Sequence, residues 1–327
     1  MNSFGRLFRI HIYGESHGER LGILIDGCPA GLPLKIEDFE TDLARRKGGP
    51  KGTTARIEAD RPQIVSGLFR GKTTGAPLLI EFRNLDARSR DYGPFEDIPR
   101  PGHADFAAMR KYHGYHDYRG GGHFSGRLTA GLTAAGVIAK KIIAPVSIRA
   151  RTVEAGGKKD IQKAVEQAVA DHDSIGGLIE CEADNVPVGL GEPFFDAAES
   201  LISHVVFAIP GIKGIEFGSG FAAARMTGSR HNDLILDSSG KTQTNHAGGI
   251  NGGLTNGNPL FFRVAVKPTS SIPRPQYTFN RRTGRREKMK IEGRHDTCFA
   301  LRVPVIVEAA AAVVLADLLR LESTKTI

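Results

Sequence analysis

The alternation of apolar and polar positions predicts a chain of mixed strands and helices in which the longest helices are buried. Leu21 to Asp26 predicts a strand, and Lys35 to Arg46 predicts a polar helix after it. Two longer segments, Gly126 to Ile143 and Ala300 to Leu319, are rich in Ala and apolar nearly all round. Because helices of this kind must be covered on every side, we expect both to lie in the interior.

Two polar segments complete the pattern. Gly156 to Asp173 has the spacing of an amphipathic surface helix, and Arg274 to Lys290 is basic and contains Pro and Gly, which predicts a hairpin or loop. The second segment is either a solvated surface or a cover over an anionic site.

Three pairs of segments recur in the same order and predict an internal duplication. DGCPAGLP at 26–33 resembles DNVPVGLG at 184–191, an offset of 158 (184 minus 26). TTGAPLLIEF at 73–82 resembles TNGNPLFFRV at 255–264, an offset of 182 (255 minus 73). The two long apolar helices form the third pair. Such a duplication predicts an α+β sandwich, residues 1–327 forming one domain, with the long helices between two sheets related by a pseudo-twofold axis.

Charge indicates an anionic partner. The formal net charge is +8 and the pI is about 9.4. The basic residues gather in Gly-rich segments, there is no Trp, and no nucleic-acid-binding motif accompanies them. We therefore expect a small anionic ligand and neither nucleic acid nor membrane as a partner.

Cysteine usage and the N-terminal segment predict a cytoplasmic protein. The three cysteines are far apart and lack the spacing of zinc ligands or a disulfide framework, so no metal is expected. The N-terminal residues contain no apolar run with a cleavage site, and the most apolar stretch carries charged residues.

Three histidines lie in short segments rich in Gly and charge: GESHG at 14–18, RPGHAD at 100–105 and GRHD at 293–296. Each has an acidic neighbour that can orient its ring, and histidine exchanges protons near neutral pH. These segments predict acid/base chemistry.

Two other motifs suggest different chemistry. GESHG also fits the G-x-S-x-G pattern of a hydrolase, with Ser16 as nucleophile, although only 13 residues precede Gly14 and such an elbow follows several strands. KPTSS groups Lys267 with the hydroxyls of Thr269, Ser270 and Ser271, a set able to bind phosphate.

Taken together, GESHG, DLARR at 42–46, RPGHAD, DYRGGG, NHAGGI at 245–250, KPTSSI at 267–272 and GRHD resemble the chorismate synthase family over about residues 6–319. The resemblance implies 1,4-anti elimination of phosphate from 5-enolpyruvylshikimate 3-phosphate to give chorismate, with reduced FMN and no net redox change. It also implies a homotetramer whose subunits place helices between two antiparallel sheets.

The resemblance assigns catalytic roles to three residues. His17 is expected to protonate the departing phosphate, His103 to contact the reduced flavin near N1, and Asp296 to lie near flavin N5 and receive the ring proton. Flavin reduction by the protein itself with NADPH, and supply by an external flavin reductase, both stay open.

Binding residues follow from the same motifs. Substrate anions are expected to meet Arg45, Arg46, Arg100, Arg127 and Arg294, with Arg46 also an NADP contact. The flavin is expected to meet His123, Phe124, Ser125, Pro210, Gly211, Gly252, Lys267, Pro268, Thr269, Ser270, Ser271 and Arg294. The chain departs from the family pattern at His123 and Leu128, where many members have arginine and glutamate, and at Thr297, where Pro is usual.

Overall fold

A computed structural model describes residues 1–56, 58–86, 95–291 and 293–324. The strands are β1 (Ser3–Phe4), β2 (Arg9–Gly14), β3 (Arg20–Asp26), β4 (Gln63–Ser66), β5 (Leu68–Phe69), β6 (Lys72–Thr73), β7 (Leu78–Arg83), β8 (Ser147–Ala155), β9 (Gly177–Asp184), β10 (Ile212–Phe217), β11 (Ile250–Asn251), β12 (Leu254–Thr255), β13 (Leu260–Val266), β14 (Gln276–Asn280) and β15 (Arg285–Met289). The helices are α1 (Glu40–Arg46), α2 (Asp105–Lys111), α3 (Thr129–Ile142), α4 (Ile161–Ala170), α5 (Ala198–Phe207), α6 (Gly228–His231) and α7 (Pro304–Ser323).

Two antiparallel sheets carry most of the strands. The first has the order β1-β2-β3-β7-β4 and the second the order β10-β13-β9-β8. Short ribbons pair β5 with β6, β11 with β12, and β14 with β15. The expectation of a mixed helix and sheet protein is confirmed.

The two long apolar helices form the centre of the core. α3 packs against α7 and against β2, β3 and β7, whereas α7 packs against β8 and β9. Gly136 of α3 lies against Ala309 of α7, where a larger side chain would not fit. Residues 305–318 of α7 and 129–139 of α3 are buried, which confirms the prediction that both helices are interior.

The buried helices begin later than their apolar patterns predict. Each is preceded by a 3-10 turn, Gly126–Leu128 before α3 and Phe299–Arg302 before α7. Pro304 then occupies the first turn of α7, where its missing N–H leaves no helix hydrogen bond unmade. The polar helix likewise divides into a 3-10 turn, Ile36–Phe39, and α1.

The predicted amphipathic helix is shorter than its pattern. Gly156 and Gly157 both have positive φ and so precede the helix as a turn. Asp160 then caps α4 by accepting a hydrogen bond from the backbone N–H of Lys163 at 3.1 Å. The basic segment after residue 274 is the antiparallel β14–β15 hairpin. Among the described residues, none of the helices combines the length and apolar character needed to span a bilayer.

Candidate active site

A cavity of about 760 Å³ takes its walls from both halves of the chain. Nine basic and three acidic residues line it: Arg46, Lys47, Arg56, Arg100, Arg127, Lys213, Lys267, Arg294 and Arg302, with Glu58, Asp60 and Asp296. An excess of fixed positive charge in a concave, partly desolvated site attracts anions. The cavity is therefore suited to a ligand with several negative groups.

A tight turn from Glu15 to Gly18 carries Ser16 and His17 at its two central positions. The Gly18 N–H donates to the Glu15 carbonyl at 3.2 Å and closes the turn. Ser16 is buried in the cavity wall, and its Oγ accepts a hydrogen bond from Arg56 Nη1 at 3.1 Å. A guanidinium cannot accept the proton of a serine nucleophile, so this contact does not favour the hydrolase interpretation.

A triple-glycine loop packs against two of the predicted catalytic histidines. Gly120, Gly121 and Gly122 have φ of 58°, 80° and 51°. A Cβ on Gly120 would lie 2.6 Å from Nε2 of His17, and one on Gly121 would lie 3.2 Å from Nε2 of His103. The loop therefore approaches both rings at a distance that only glycine permits at position 120.

His103 belongs to a buried ionic cluster at the cavity wall. Its Nδ1 lies 2.5 Å from Oδ1 of Asp105, while Arg100 donates to both oxygens of that carboxylate. Burial would raise the pKa of Asp105, but hydrogen bonds from Arg100 and His103 outweigh it and lower that pKa. Burial lowers the pKa of His103, opposed by its hydrogen bond to Asp105. The ionised carboxylate orients the ring by accepting from Nδ1–H, which leaves Nε2 for other partners.

Asp296 is held on both sides of its carboxylate. Oδ1 accepts from the Thr54 backbone N–H at 2.9 Å, and Oδ2 accepts from Arg302 Nη2 at 2.8 Å. The Arg302 guanidinium also lies over the Phe299 ring at 5.3 Å from the ring centroid. Asp296 is thus fixed at the wall by groups on two different segments.

Two predicted substrate arginines share one buried carboxylate. Asp60 accepts a short hydrogen bond from Arg46 on one oxygen and from Arg127 on the other. Burial would raise the pKa of Asp60, but the charges of the two arginines dominate and lower it. Burial lowers the pKa of both guanidiniums, which still stay protonated because the ordinary pKa of arginine lies far above neutral pH. Arg46 Nε is buried and donates no hydrogen bond to the described residues.

The other predicted substrate arginines divide between the cavity and a separate ionic network around the buried Glu308. Arg294 lines the cavity with Arg100 and donates to Asp86. Arg45 is not part of the lining; its guanidinium donates to Glu308 at 2.6 and 2.8 Å, beside Lys140. The position of Arg45 instead supports the packing of α1 on α7.

The predicted phosphate-binding segment after β13 lines the cavity. Lys267 Nζ donates to Ser270 Oγ at 2.5 Å and to the Gly102 carbonyl at 3.0 Å. Burial and the neighbouring Lys213 lower the pKa of Lys267. Thr269 Oγ1 is buried and makes no hydrogen bond to the part of the chain that the structure describes. Pro268 and Ser271 complete this wall.

Most other predicted flavin contacts also line the cavity, namely His123, Phe124, Ser125, Pro210 and Gly211. His123 stands where many family members have arginine, and its Nε2 lies 2.9 Å from Oδ1 of Asn2. This contact joins the N-terminal segment to the cavity wall. Gly252 is exposed between β11 and β12 and is not part of the lining. His295, the third histidine of the sequence pattern, does line the cavity.

Sequence reasoning missed several polar residues of this region, among them Arg56, Asp60, Asn84 and Arg302. Arg56 and Asp60 lie in the irregular segment between α1 and β4, and Asn84 follows a strand, so no local motif marks them. Arg302 and Arg127 each lie two positions before the start of a buried helix, a correspondence that appears only once the structure gives those starts. Within the described ranges, no three His, Cys, Asp or Glu side chains are grouped to bind a metal ion.

Comparison with known proteins gives a uniform result. The profile of the family described as chorismate synthase matches residues 8–320. A chorismate synthase from Chitinophaga pinensis is 61% identical over 323 residues, covering 98% of this chain and 97% of the relative. One from Dehalococcoides mccartyi is 44% identical, covering 97% and 96%. A crystal structure of chorismate synthase aligns with TM-score 0.76 and 28% identity, covering 98% of this chain and 93% of that one.

Proposed function

Because the chain belongs to the chorismate synthase family, we propose that the cavity is the active site of a carbon–oxygen lyase. The reaction is the 1,4-anti elimination of phosphate and a ring proton from 5-enolpyruvylshikimate 3-phosphate, which gives chorismate for aromatic amino acid biosynthesis. The comparisons give the serine hydrolase alternative no support.

The observation that carries the site assignment is the charge of the cavity. The substrate bears two carboxylates and a phosphate, and nine basic residues line the wall against three acidic ones. Arg46 and Arg127 share a single carboxylate, so the pair retains one positive charge for a ligand. Charge-assisted hydrogen bonds from guanidinium groups are the strongest means of fixing such anions and of stabilising a departing phosphate.

Of the proposed proton-transfer residues, Asp296 lines the cavity, whereas His17 is not part of the lining and lies directly behind Gly120, which is. We assign His17, beside Gly120 and Ser16, as the proton donor to the departing phosphate. Asp296, held by Thr54 and Arg302, is the carboxylate that accepts the ring proton. A positioned carboxylate and a positioned histidine together supply the base and the acid that an elimination requires.

The cavity fits a reduced flavin mononucleotide. Thr269 Oγ1 is a buried donor without a partner in the described part of the chain, and Lys267 and Ser270 lie in the same segment, which is the donor set that a phosphate requires. When bound, reduced FMN supplies an electron-rich ring that can donate and recover charge with no net redox change. We propose that Nε2 of His103, left available by the Asp105 contact, faces that ring.

The pairing of the strands supports the proposed duplication. Ile25 lies opposite Leu78 in the first sheet, and Ala183 lies opposite Leu260 in the second. These pairs are related by the offsets of 158 and 182 that the sequence gives. The same register in both sheets is expected if one ancestral unit was copied.

The turns that precede the strands support it independently. Thr73 Oγ1 donates to the Pro29 carbonyl at 2.5 Å and accepts from the Leu32 N–H at 2.9 Å. Thr255 Oγ1 makes the two corresponding bonds at 2.6 and 2.9 Å, to Pro187 and Leu190. All three residues of each set are related by the same offsets. We infer a pseudo-twofold sandwich that forms one domain.

Exposed apolar side chains support association between subunits, for which the family resemblance implies a homotetramer. Phe194, Phe195 and Phe221 are at least 80% exposed in this single chain, and Leu234 to Leu236 are more than half exposed. Exposed apolar patches of this kind mark association surfaces.

The three cysteines are buried free thiols, which fits the reducing conditions of the cytoplasm.

An anaerobic assay with 5-enolpyruvylshikimate 3-phosphate and chemically reduced FMN tests the proposal. Chorismate should form, and His17→Ala and His103→Ala should each lower turnover by roughly 10- to 10⁴-fold while the fold persists. A second assay with oxidised FMN and NADPH separates the two reductant routes: product there assigns the reduction to this protein. Absence of product in both assays would refute the proposal.

A further inference from the structure

Asn84 lies where the proposed acid and the proposed anion-binding site meet. It directly follows β7, and its backbone N–H donates to the Glu19 carbonyl at 3.2 Å, next to the start of β3. This bond brings the end of β7 beside the turn that carries Ser16 and His17. The Asn84 side chain is partly buried at this junction.

The Asn84 amide makes three hydrogen bonds of two kinds. Nδ2 donates to the Glu15 carbonyl at 3.0 Å and to the Gly18 carbonyl at 2.7 Å, the two ends of the His17 turn. Oδ1 accepts from Arg127 Nε at 3.0 Å. Carbonyl oxygens can only accept and a guanidinium can only donate, so the chemistry of the partners fixes which end of the amide faces which.

Only an amide side chain, that of Asn or Gln, carries both the N–H donors and the carbonyl acceptor that this set of bonds needs. A carboxylate has no donor for the two carbonyls, and a hydroxyl is too short to reach both sides at once. We propose that Asn84 is a positioning residue for the elimination, which ties the turn that carries His17 to the guanidinium of Arg127.

This inference rests on the proposed function, since it needs His17 as the acid and Arg127 as a substrate ligand. The linkage extends further, because Arg127 shares Asp60 with Arg46. A ligand anion that orders these guanidiniums therefore also orders the turn. Acid and leaving group would then be aligned by one connected set of hydrogen bonds.

Asn84→Asp separates the two halves of the amide. The carboxylate keeps an acceptor for Arg127 but places an oxygen against the two carbonyls, which displaces the His17 turn. Because a misplacement of about 1 Å can cost about 10²-fold in rate, kcat should fall about 10- to 100-fold. The KM for the substrate should rise as well, because the added carboxylate neutralises the one positive charge that Arg46 and Arg127 retain.

Asn84→Ser removes both halves without adding charge. Its kcat should fall and its KM should rise, whereas Arg127→Lys, which loses the Nε contact, should mainly raise KM. The matched control is Asn185→Asp, because Asn185 is exposed and its amide donates only to the Pro145 carbonyl at 3.5 Å among the partners that the structure gives it. That variant should match the wild type.

Circular dichroism and thermal denaturation identify the variants that fold. The kinetics of those variants are then measured at saturating reduced FMN. Inorganic phosphate binding by calorimetry, without flavin or turnover, gives a second readout: both Asn84 variants should weaken it, Asn84→Asp more strongly because of its added negative charge. Wild-type kcat in both folded Asn84 variants, or a rise of KM with no fall of kcat in Asn84→Ser, would overturn the positioning role. Failure of the wild type to form chorismate would refute the proposed function instead, and the phosphate measurement would still test the Asn84–Arg127 linkage.

Discussion

Gly120→Ala is expected to disable the proposed acid while leaving the rest of the cavity in place. Gly120 has a φ of 58°, and a Cβ there would lie 2.6 Å from His17 Nε2 and 2.7 Å from Ser16 Oγ. Ordinary van der Waals contact begins near 3.4 Å. The His17 ring must therefore retreat by roughly 1 Å, a misplacement worth about 10²-fold in kcat.

Backbone strain has to be separated from this steric effect. An alanine with left-handed φ costs about 1–2 kcal/mol in stability wherever it is placed. Gly157 is the matched control, since its φ is 76° and none of the described residues lies within 4 Å of its Cβ position. Gly157→Ala should lose similar stability in urea denaturation and retain full kcat.

The assay is anaerobic turnover at saturating substrate and reduced FMN, with the double variant Gly120→Ala/His17→Ala as a further test. If Gly120 acts through His17, adding the alanine to a His17→Ala background should change kcat by less than about threefold, because interacting residues are not additive. Equal kcat values for Gly120→Ala and Gly157→Ala would refute the steric reasoning. A full second loss in the double variant would show that Gly120 acts on another group.

Three further predictions follow from the same structure. Thr73→Val and Thr255→Val should each lower the free energy of unfolding by about 1–3 kcal/mol, in similar amounts. The reason is that each substitution leaves one backbone carbonyl and one backbone N–H, at corresponding positions of the two halves, without a partner. A large difference between the two variants in urea denaturation would contradict their equivalence. Lys267→Ala should weaken FMN binding about 10-fold or more in a fluorescence titration with little effect on kcat at saturating flavin, and unchanged affinity would remove Lys267 from the phosphate site. His103 has a folded-state pKa below its unfolded value, so the unfolded chain binds the extra proton as pH falls below about 6.5. The wild type should therefore lose stability relative to His103→Gln as the pH falls from 7.5 to the folded-state pKa of His103. Parallel curves of unfolding free energy against pH for the two proteins would contradict this.

The parts of the fold that follow from local pattern were predictable. The apolar character of 126–143 and 300–319 indicated buried helices, and both are buried. Their starting points were not predictable, because residues 126–128 and 299–302 are apolar enough to continue the helix but form 3-10 turns. Those turns carry Arg127 and Arg302, which line the cavity. The residues whose local structure the pattern predicted wrongly therefore include two residues of the candidate site.

The site was predictable only where a motif carries it. RPGHAD contains His103 and both of its ionic partners within six residues, so the local cluster was visible in the sequence. Asp60 is bonded to Arg127, 67 positions away, and only the folded chain brings them together. The motif DLARR does not separate its two arginines, because Arg46 lines the cavity while Arg45, one position earlier on α1, donates to Glu308.

The proposed duplication explains how two similar halves of the chain contribute different side chains to the same cavity. The turn from Glu15 to Gly18 corresponds, at the offset of 158, to residues 173–176. Ser174 matches Ser16, whereas Ile175 stands at the position that corresponds to His17. Ser174 Oγ donates to the Thr269 carbonyl at 2.7 Å, within the segment proposed to bind the flavin phosphate. One segment therefore carries the proposed acid, and the corresponding one has Ile175 in its place and contacts the segment proposed to bind the cofactor. A duplicated scaffold with divergent turns accounts for an asymmetric site between two similar sheets.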